Sequence, residues 1–327
     1  MQEFLDKIIC GDCIELLSKA GEPFADLIFA DPPFNIGYKY DKYYDKLKKK
    51  NYIAWTKEWM SICKQVLKPH GSFHIAIGDD YAANVKIIAN ELGLFIRNWI
   101  IRYYTFGQQM KNKFARAHTH IFYFVNNKKN FIFNDHAVRI PSDRQLLYND
   151  RRANPSGKIP DDVWDGYPRV CGTFKERTGW HPCQMPESLL KRIIAASSNP
   201  GDCVLDPFCG SGTSAVAAYQ LNRHFIGIDI SPQYVENAKK RLVELKKSRS
   251  ETLFPDAMEL NEIIQLSADM RKPLKEIAKD KKLMKLFMNQ FSMQVNGRKK
   301  YSGQQIVTAI KDLAGCTQES SCPEVSS

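Results

Sequence analysis

An apolar run at residues 203–205 empties into Asp206-Pro207-Phe208-Cys209-Gly210-Ser211-Gly212-Thr213, and small residues dominate 213–220. Proline ends a sheet ladder, and two glycines at i and i+2 let the backbone turn sharply with no Cβ in the way. The order therefore reads as strand, glycine turn, helix. A further strand at 225–228 ends on Asp229, seventeen residues beyond Gly212. Such a βαβ unit commits the chain to a largely parallel sheet covered by helices.

The rest of the chain repeats the alternation. Residues 7–10 and 26–30 are strand-like, with a turn or two of helix at 14–19. The second strand stops at Asp31-Pro32-Pro33-Phe34, because successive prolines remove donors and restrict the backbone before them. A Tyr- and Lys-rich loop covers 35–51, helical spacing runs over 52–67, and a strand, a helix and two more strands are predicted at 72–77, 81–92, 94–104 and 121–125. Residues 105–178 lack sustained periodicity, which in a compact domain marks a functional insertion. Helices are predicted at 186–197 and 232–247, and Lys- and Met-rich helical segments at 259–267, 275–291 and 304–313. The expected divisions are 1–104, 105–178, 179–247, a helical appendage at 248–315, and a disordered tail at 316–327.

Composition narrows the function classes. Among 327 residues, 47 Lys and Arg against 36 Asp and Glu leave a net charge of +11, which favours a polyanionic partner. No apolar run approaches the roughly 20 residues of a membrane span, and the first residues lack the basic start and apolar core of a signal peptide. No membrane contact is expected, and the expected location is the cytoplasm. The nine cysteines are scattered and odd in number, so reduced thiols are expected. Cys10 and Cys13 have no second pair, and His118 and His120 no third ligand, so no metal is expected.

The two loops carry the chemistry. Asp229, at the end of its strand, is placed to accept hydrogen bonds from the hydroxyls of an adenosine ribose. Gly210-x-Gly212-x-x-Ala215 also fits a dinucleotide fingerprint, so NAD stays open, as does an ordinary structural turn. Asp206 weighs against NAD: a pyrophosphate site wants helix-end amides, whereas a cationic cofactor welcomes a carboxylate. At the other loop, Asp31 and a prolyl carbonyl are suited to accept both N–H groups of an exocyclic base amine and expose its lone pair. Pro32 and Pro33 hold the acceptors rigidly, and Phe34 offers a face for stacking a base that has left the duplex. A Pro-Pro loop that merely closes a strand is the plainer alternative.

Together, DPPF at 31–34 and DPFCGSGT at 206–213 resemble the DNA amino-methyltransferases, in the permuted arrangement where the catalytic motif precedes the cofactor loop. Gly11-Asp12-Cys13 and His181-Pro182-Cys183-Gln184-Met185-Pro186-Glu187 resemble two further motifs of that family, except that Met185 stands where a Lys is usual. The resemblance covers residues 7–246 and implies an α/β, Rossmann-like fold with a mostly parallel seven-stranded sheet, an inserted recognition region and the helical appendage. It implies S-adenosylmethionine as cofactor, held by Asp12, Cys13, His181, Gln184, Asp206, Phe208, Gly210, Gly212, Thr213 and Asp229. It implies double-stranded DNA as partner, with Lys39 and Lys42 of the basic aromatic loop and Arg139, Arg144, Arg151, Arg152, Lys158 and Arg169 of the insertion meeting it. The Asp-initiated motif favours adenine N6 over cytosine N4. RNA or protein-glutamine methylation, an NAD oxidoreductase and a non-catalytic DNA-binding module are the remaining alternatives. A cognate restriction endonuclease, and the choice between monomer and homodimer, are left open by the sequence.

Overall fold

The computed structural model describes residues 2–108, 111–172, 174, 176–251, 257–295 and 302–319. In chain order the elements begin β1 (Lys7–Cys10), α1 (Cys13–Leu17), β2 (Ala25–Ala30), α2 (Lys49–Val66), β3 (Leu67–Ile77) and α3 (Asp79–Glu91). Then come β4 (Phe95–Gln108), β5 (Arg116–Val125), α4 (Asp143–Leu146), β6 (Val163–Trp164), α5 (Glu187–Ser197) and β7 (Cys203–Asp206). The chain closes with α6 (Thr213–Gln220), β8 (His224–Asp229), α7 (Pro232–Glu251), α8 (Ala257–Asp269), α9 (Leu274–Lys279), α10 (Lys281–Gln294) and α11 (Gly303–Glu319). Two compact units result: residues 1–134 with 161–248, and residues 135–160 with 249–327.

The first unit holds one sheet in the order β1-β8-β7-β2-β3-β5-β4-β6. Pairings from β1 through β3 are parallel, and β5 runs antiparallel to both β3 and β4. The expected mostly parallel sheet is present, with eight strands instead of seven. The addition is β6, two residues parallel to the edge of β4, too short to leave a periodic signal. Every residue of β2 is buried, as for a strand covered on both faces. Asp26 is among them, and its carboxylate is satisfied by Lys68 Nζ at 2.9 Å, His70 Nε2 at 3.0 Å and the Cys203 amide at 2.9 Å. The buried charge thereby ties β2 to β3 and β7.

Residues 105–178, expected to hold the end of the catalytic sheet and the recognition region, divide between the two units. Residues 105–108 extend β4, β5 starts at Arg116 and not at residue 121, and residues 135–160 join the second unit. The β5 extension escaped notice because Arg116, His118 and Thr119 interrupt its apolar pattern.

The second unit is helical. Its core is built from Ile263, Leu266, Ile277, Leu283, Phe287, Phe291, Ile306 and Ile310, and Leu146 of α4 packs against that core. One helix was expected over 275–291, but Asp280 divides it by accepting from the Lys282 and Leu283 amides and capping α10. α11 runs four residues into the tail expected to be disordered, and residues 320–327 lie outside the described residues. No helix among the described residues is long and apolar enough to cross a membrane.

Candidate active site

Two loops meet because β2 and β7 are parallel neighbours, with Leu27 opposite Val204 and Ile28 opposite Leu205. Asp31 directly follows β2 and Asp206 ends β7, so both carboxylates leave the same edge of the sheet. Ligands of open α/β sheets bind at such carboxyl ends.

The glycine loop is tightly pinned. Cys209 N–H donates to Ile228 O at 2.8 Å, Gly210 N–H to Asp229 Oδ2 at 2.9 Å, and Gly212 N–H to Cys209 O at 2.7 Å. Gly210 and Gly212 have φ of +45° and +74°. A Cβ at 210 would lie 2.6 Å from His181 Nε2, and one at 212 would lie 2.9 Å from Ala238 Cβ. Glycine is thus required twice over, by backbone sign and by space. Asp206 accepts from Phe208 N–H at 3.0 Å and from the Ser214 hydroxyl. Asp229 accepts from Gly210 and, at 2.8 Å, from Ser231, leaving each oxygen one lone pair for a ligand.

A cavity opens between these loops. Its charged lining is Asp12, Asp31, Asp206 and Asp229, with Lys42 as the one Lys or Arg among the described residues. Phe208 and Trp55, 5.7 Å apart edge to face, form an apolar wall. Burial, with Asp229 adding to it, pushes the Asp206 carboxyl up to about 7. Asp31 is pushed up to about 8 by burial and by Asp206, with the Arg102 guanidinium pulling the other way. His181, lowered to about 4 by burial, is a neutral imidazole. Four carboxylates suit a ligand that carries positive charge and hydroxyls, and they oppose a pyrophosphate.

A second cleft lies across Asp31. It shares Asp31, Tyr40, His181, Cys183 and Met185 with the first cavity, but its charge is reversed: Arg102, Lys113, Arg116, Arg169 and Arg177 line it. Phe34 and Pro32 face this side. The Pro33 carbonyl accepts from the Tyr52 hydroxyl at 2.6 Å. Arg102 is buried and donates to Tyr167 O, Pro168 O and Met185 Sδ at 3.1, 2.9 and 3.0 Å.

The loop after Phe34 is braced. Buried Asp45 accepts from the amides of Asn35, Ile36 and Tyr38 at 2.7, 3.2 and 2.8 Å. The Asn35 side chain clasps Leu47 and the Tyr81 hydroxyl. Asp41 accepts from the Ser231 hydroxyl at 2.7 Å, carrying the loop over the acid-lined cavity with Tyr40, Lys42 and Tyr43 in its lining.

The expected residues sort as follows. Asp31, Pro33, Asp12, Cys13, His181, Asp206, Phe208, Gly210, Thr213 and Asp229 line the acidic cavity, and Pro32, Phe34 and Arg169 the basic cleft. Asp12 also caps α1 through the Ile14 and Glu15 amides. Gly212 stands behind the lining as the first residue before α6. Two expected residues lie on the other side from their expected roles. Lys42, expected to meet DNA, lines the acid-lined cavity, where the Asp41–Ser231 contact holds its loop. Gln184, expected at the cofactor, lines the basic cleft, and its amide accepts from Thr178 N–H at 2.9 Å and donates to Glu176 O at 2.7 Å. Lys39 is exposed on the braced loop, while Arg139, Arg144, Arg151, Arg152 and Lys158 belong to the second unit. Arg102, Tyr52, Asp45 and Arg116 carry no motif in the sequence: Arg102 acts 65 or more positions away, Asp45 braces a loop seven to ten residues before it, and only the tyrosine-rich composition of 38–44 gives a hint of Tyr40.

A sheet of this order, with an acid-lined glycine-loop cavity beside an Asp-Pro-Pro-Phe loop, has the form of a Rossmann-like methyltransferase. The chain belongs to the DNA methylase family, whose N6/N4 model matches residues 25–240. A second model, described as a methyltransferase domain, matches residues 198–313. The type II methyltransferase M.HpaI of Haemophilus parainfluenzae is 40% identical over 237 residues, covering 72% of this chain and 74% of that protein. The DNA adenine methyltransferase YhdJ of Escherichia coli (strain K12) is 38% identical over 244 residues, covering 72% and 82%. The solved structure of the M1.HpyAVI–SAM complex shares the fold, with a TM-score of 0.54 at 24% identity over 72% of this chain and 98% of that one.

Proposed function

We propose that this chain transfers a methyl group from S-adenosylmethionine to the N6 amino group of adenine in double-stranded DNA, on a base flipped out of the helix. The observation that carries the proposal is the position of Asp31, on the boundary between an acid-lined cavity and a cation-lined cleft. The acid-lined side suits a ligand with an ammonium, a sulfonium and a ribose diol. Asp229 is the ribose acceptor in this reading, and Asp206 with the Gly210–Thr213 turn holds the amino-acid end. The cofactor, when bound, supplies an electrophilic methyl group.

The remaining chemistry belongs to the protein. The Asp31 carboxylate accepts one N–H of the base amine and the Pro32 carbonyl accepts the other, which localises the nitrogen lone pair. Phe34 stacks on the extruded base, and the cations of the cleft neutralise the strand that carries it. No strong base is required, because attack by the neutral amine leaves a methylated ammonium, which is acidic and releases its proton to Asp31 or to water. Kinship with YhdJ, a named DNA adenine methyltransferase, supports adenine. Kinship with M.HpaI, a named type II methyltransferase, supports a restriction endonuclease of the same specificity as partner.

The test is incubation of the protein with unmethylated DNA and methyl-labelled S-adenosylmethionine, followed by nucleoside mass spectrometry. N6-methyl-2′-deoxyadenosine in the digest is the expected product. N4-methylcytosine would overturn the base, and no labelled nucleoside despite cofactor binding would overturn the substrate.

A further inference from the structure

The second unit contains a surface that the catalytic reading leaves unused. The turn after α4 exposes Leu147 and Tyr148, at 64% and 74% of their full areas, between Arg144 and Arg151 in the sequence. Two large apolar side chains exposed side by side among cations form a small patch that a partner could cover. The turn is also held in shape. Asn149 takes the left-handed conformation, with φ of +48°. Asp150 accepts from Arg152 Nε and Nη2, both at 3.0 Å, and faces Arg144 Nε at 3.4 Å.

Helix α10 supports this turn directly. Lys282 Nζ donates to Asn149 Oδ1 at 2.5 Å, and Gln290 Nε2 donates to Arg139 O at 2.6 Å. Lys281 and Lys285 are exposed one helical turn apart, beside Lys282. Arg151 is exposed and has no ion-pair partner among the described residues. The apolar tip and the lysines of α10 are therefore parts of one rigid construction, made from segments more than 120 residues apart in sequence.

We infer that this composite surface docks on duplex DNA, with Arg151, Lys281 and Lys285 on phosphates and the Leu147-Tyr148 tip pressed into a groove. Lysines and arginines around an apolar wedge match a polyanion with a stackable interior. The α8–α11 helices lie beyond residue 240, where the DNA methylase model ends, while the Leu147-Tyr148 tip and Arg151 lie within it, so the surface joins a segment of the matched core to helices outside that match. The inference rests on the reading of DNA as substrate.

The test uses the full chain, a labelled 30-base-pair duplex of arbitrary sequence, and binding isotherms over a salt series. Arg151→Glu/Lys281→Glu/Lys285→Glu is expected to weaken binding by about tenfold or more and to reduce the slope of log K against log salt by roughly 2–3. The neutral Gln triple is expected to fall between, and Tyr148→Ala to lower affinity with the slope unchanged. Cofactor affinity and melting temperature should stay at the wild-type value in each variant, which separates a docking defect from misfolding. Wild-type affinity and slope in the Glu triple, with wild-type methylation of genomic DNA, would overturn this inference alone. Failure of the wild-type protein itself to bind the duplex would overturn the DNA reading along with it. Unchanged duplex binding with altered sedimentation would reassign the surface to a second copy of the chain.

Discussion

Asp206 links cofactor affinity to pH, and the size of the link follows from its surroundings. In the cofactor-free protein burial raises its carboxyl to about 7, and that of Asp31 to about 8. A ligand bearing a sulfonium and an ammonium prefers the ionised acids, so binding must release protons that the free site holds at low pH. The sign is fixed: affinity rises as pH rises through these values and levels off above them. For Asp206 alone, one pH unit below its value, the observed dissociation constant is about tenfold larger than at high pH, or about 1.4 kcal/mol. Asp31, facing the same cavity, steepens the dependence, and the pair titrates together. The measurement is isothermal titration with S-adenosylmethionine from pH 6 to 7.5, in two buffers of different ionisation enthalpy, which counts released protons directly. Asp206→Asn should remove close to one proton from the count at pH 6. A dissociation constant flat over this range, or an Asn variant with the wild-type proton count, would falsify the placement of Asp206 against the cofactor's positive charge.

Three other outcomes are expected. Asp31→Ala should lower single-turnover methylation by roughly 10²–10³-fold, the effect of losing a preorganised electrostatic partner, while cofactor affinity at pH 8 falls only by the smaller factor that its charge contributes; abolished cofactor binding would instead assign Asp31 to the cofactor. Asp229→Ala should weaken cofactor binding by roughly 1–3 kcal/mol, readable by the same titration, and unchanged affinity would remove Asp229 from the ribose. Gly210→Ala should damage cofactor binding through the 2.6 Å approach to His181 Nε2, and Gly210→Ala/His181→Ala should recover part of it if that collision is the cause.

The sequence by itself determined the local events. The apolar runs at 26–30 and 203–205, the prolines that end them and the two glycines with left-handed φ follow from near-neighbour sterics and hydrogen-bonding capacity, which a short window of residues contains in full. The candidate chemistry of Asp31, Asp206 and Asp229 was legible for the same reason, since each stands at a strand end marked by those breakers. Only the tertiary structure decided what these residues face. The pairing of β2 with β7 brings Asp31 and Asp206 to one cavity across 175 positions, and the antiparallel return of β5 beside β4 sets Arg116 in the same cleft as Arg102. Lys42 turned inward through Asp41 and Ser231, Gln184 was spent on a neighbouring turn, and residues 135–160 joined helices from the far end of the chain. Spacing cannot reveal such matters, because a charged side chain reads alike whether it meets solvent, a carboxylate or a phosphate. Its role is fixed by which distant surfaces the burial of apolar area brings against it.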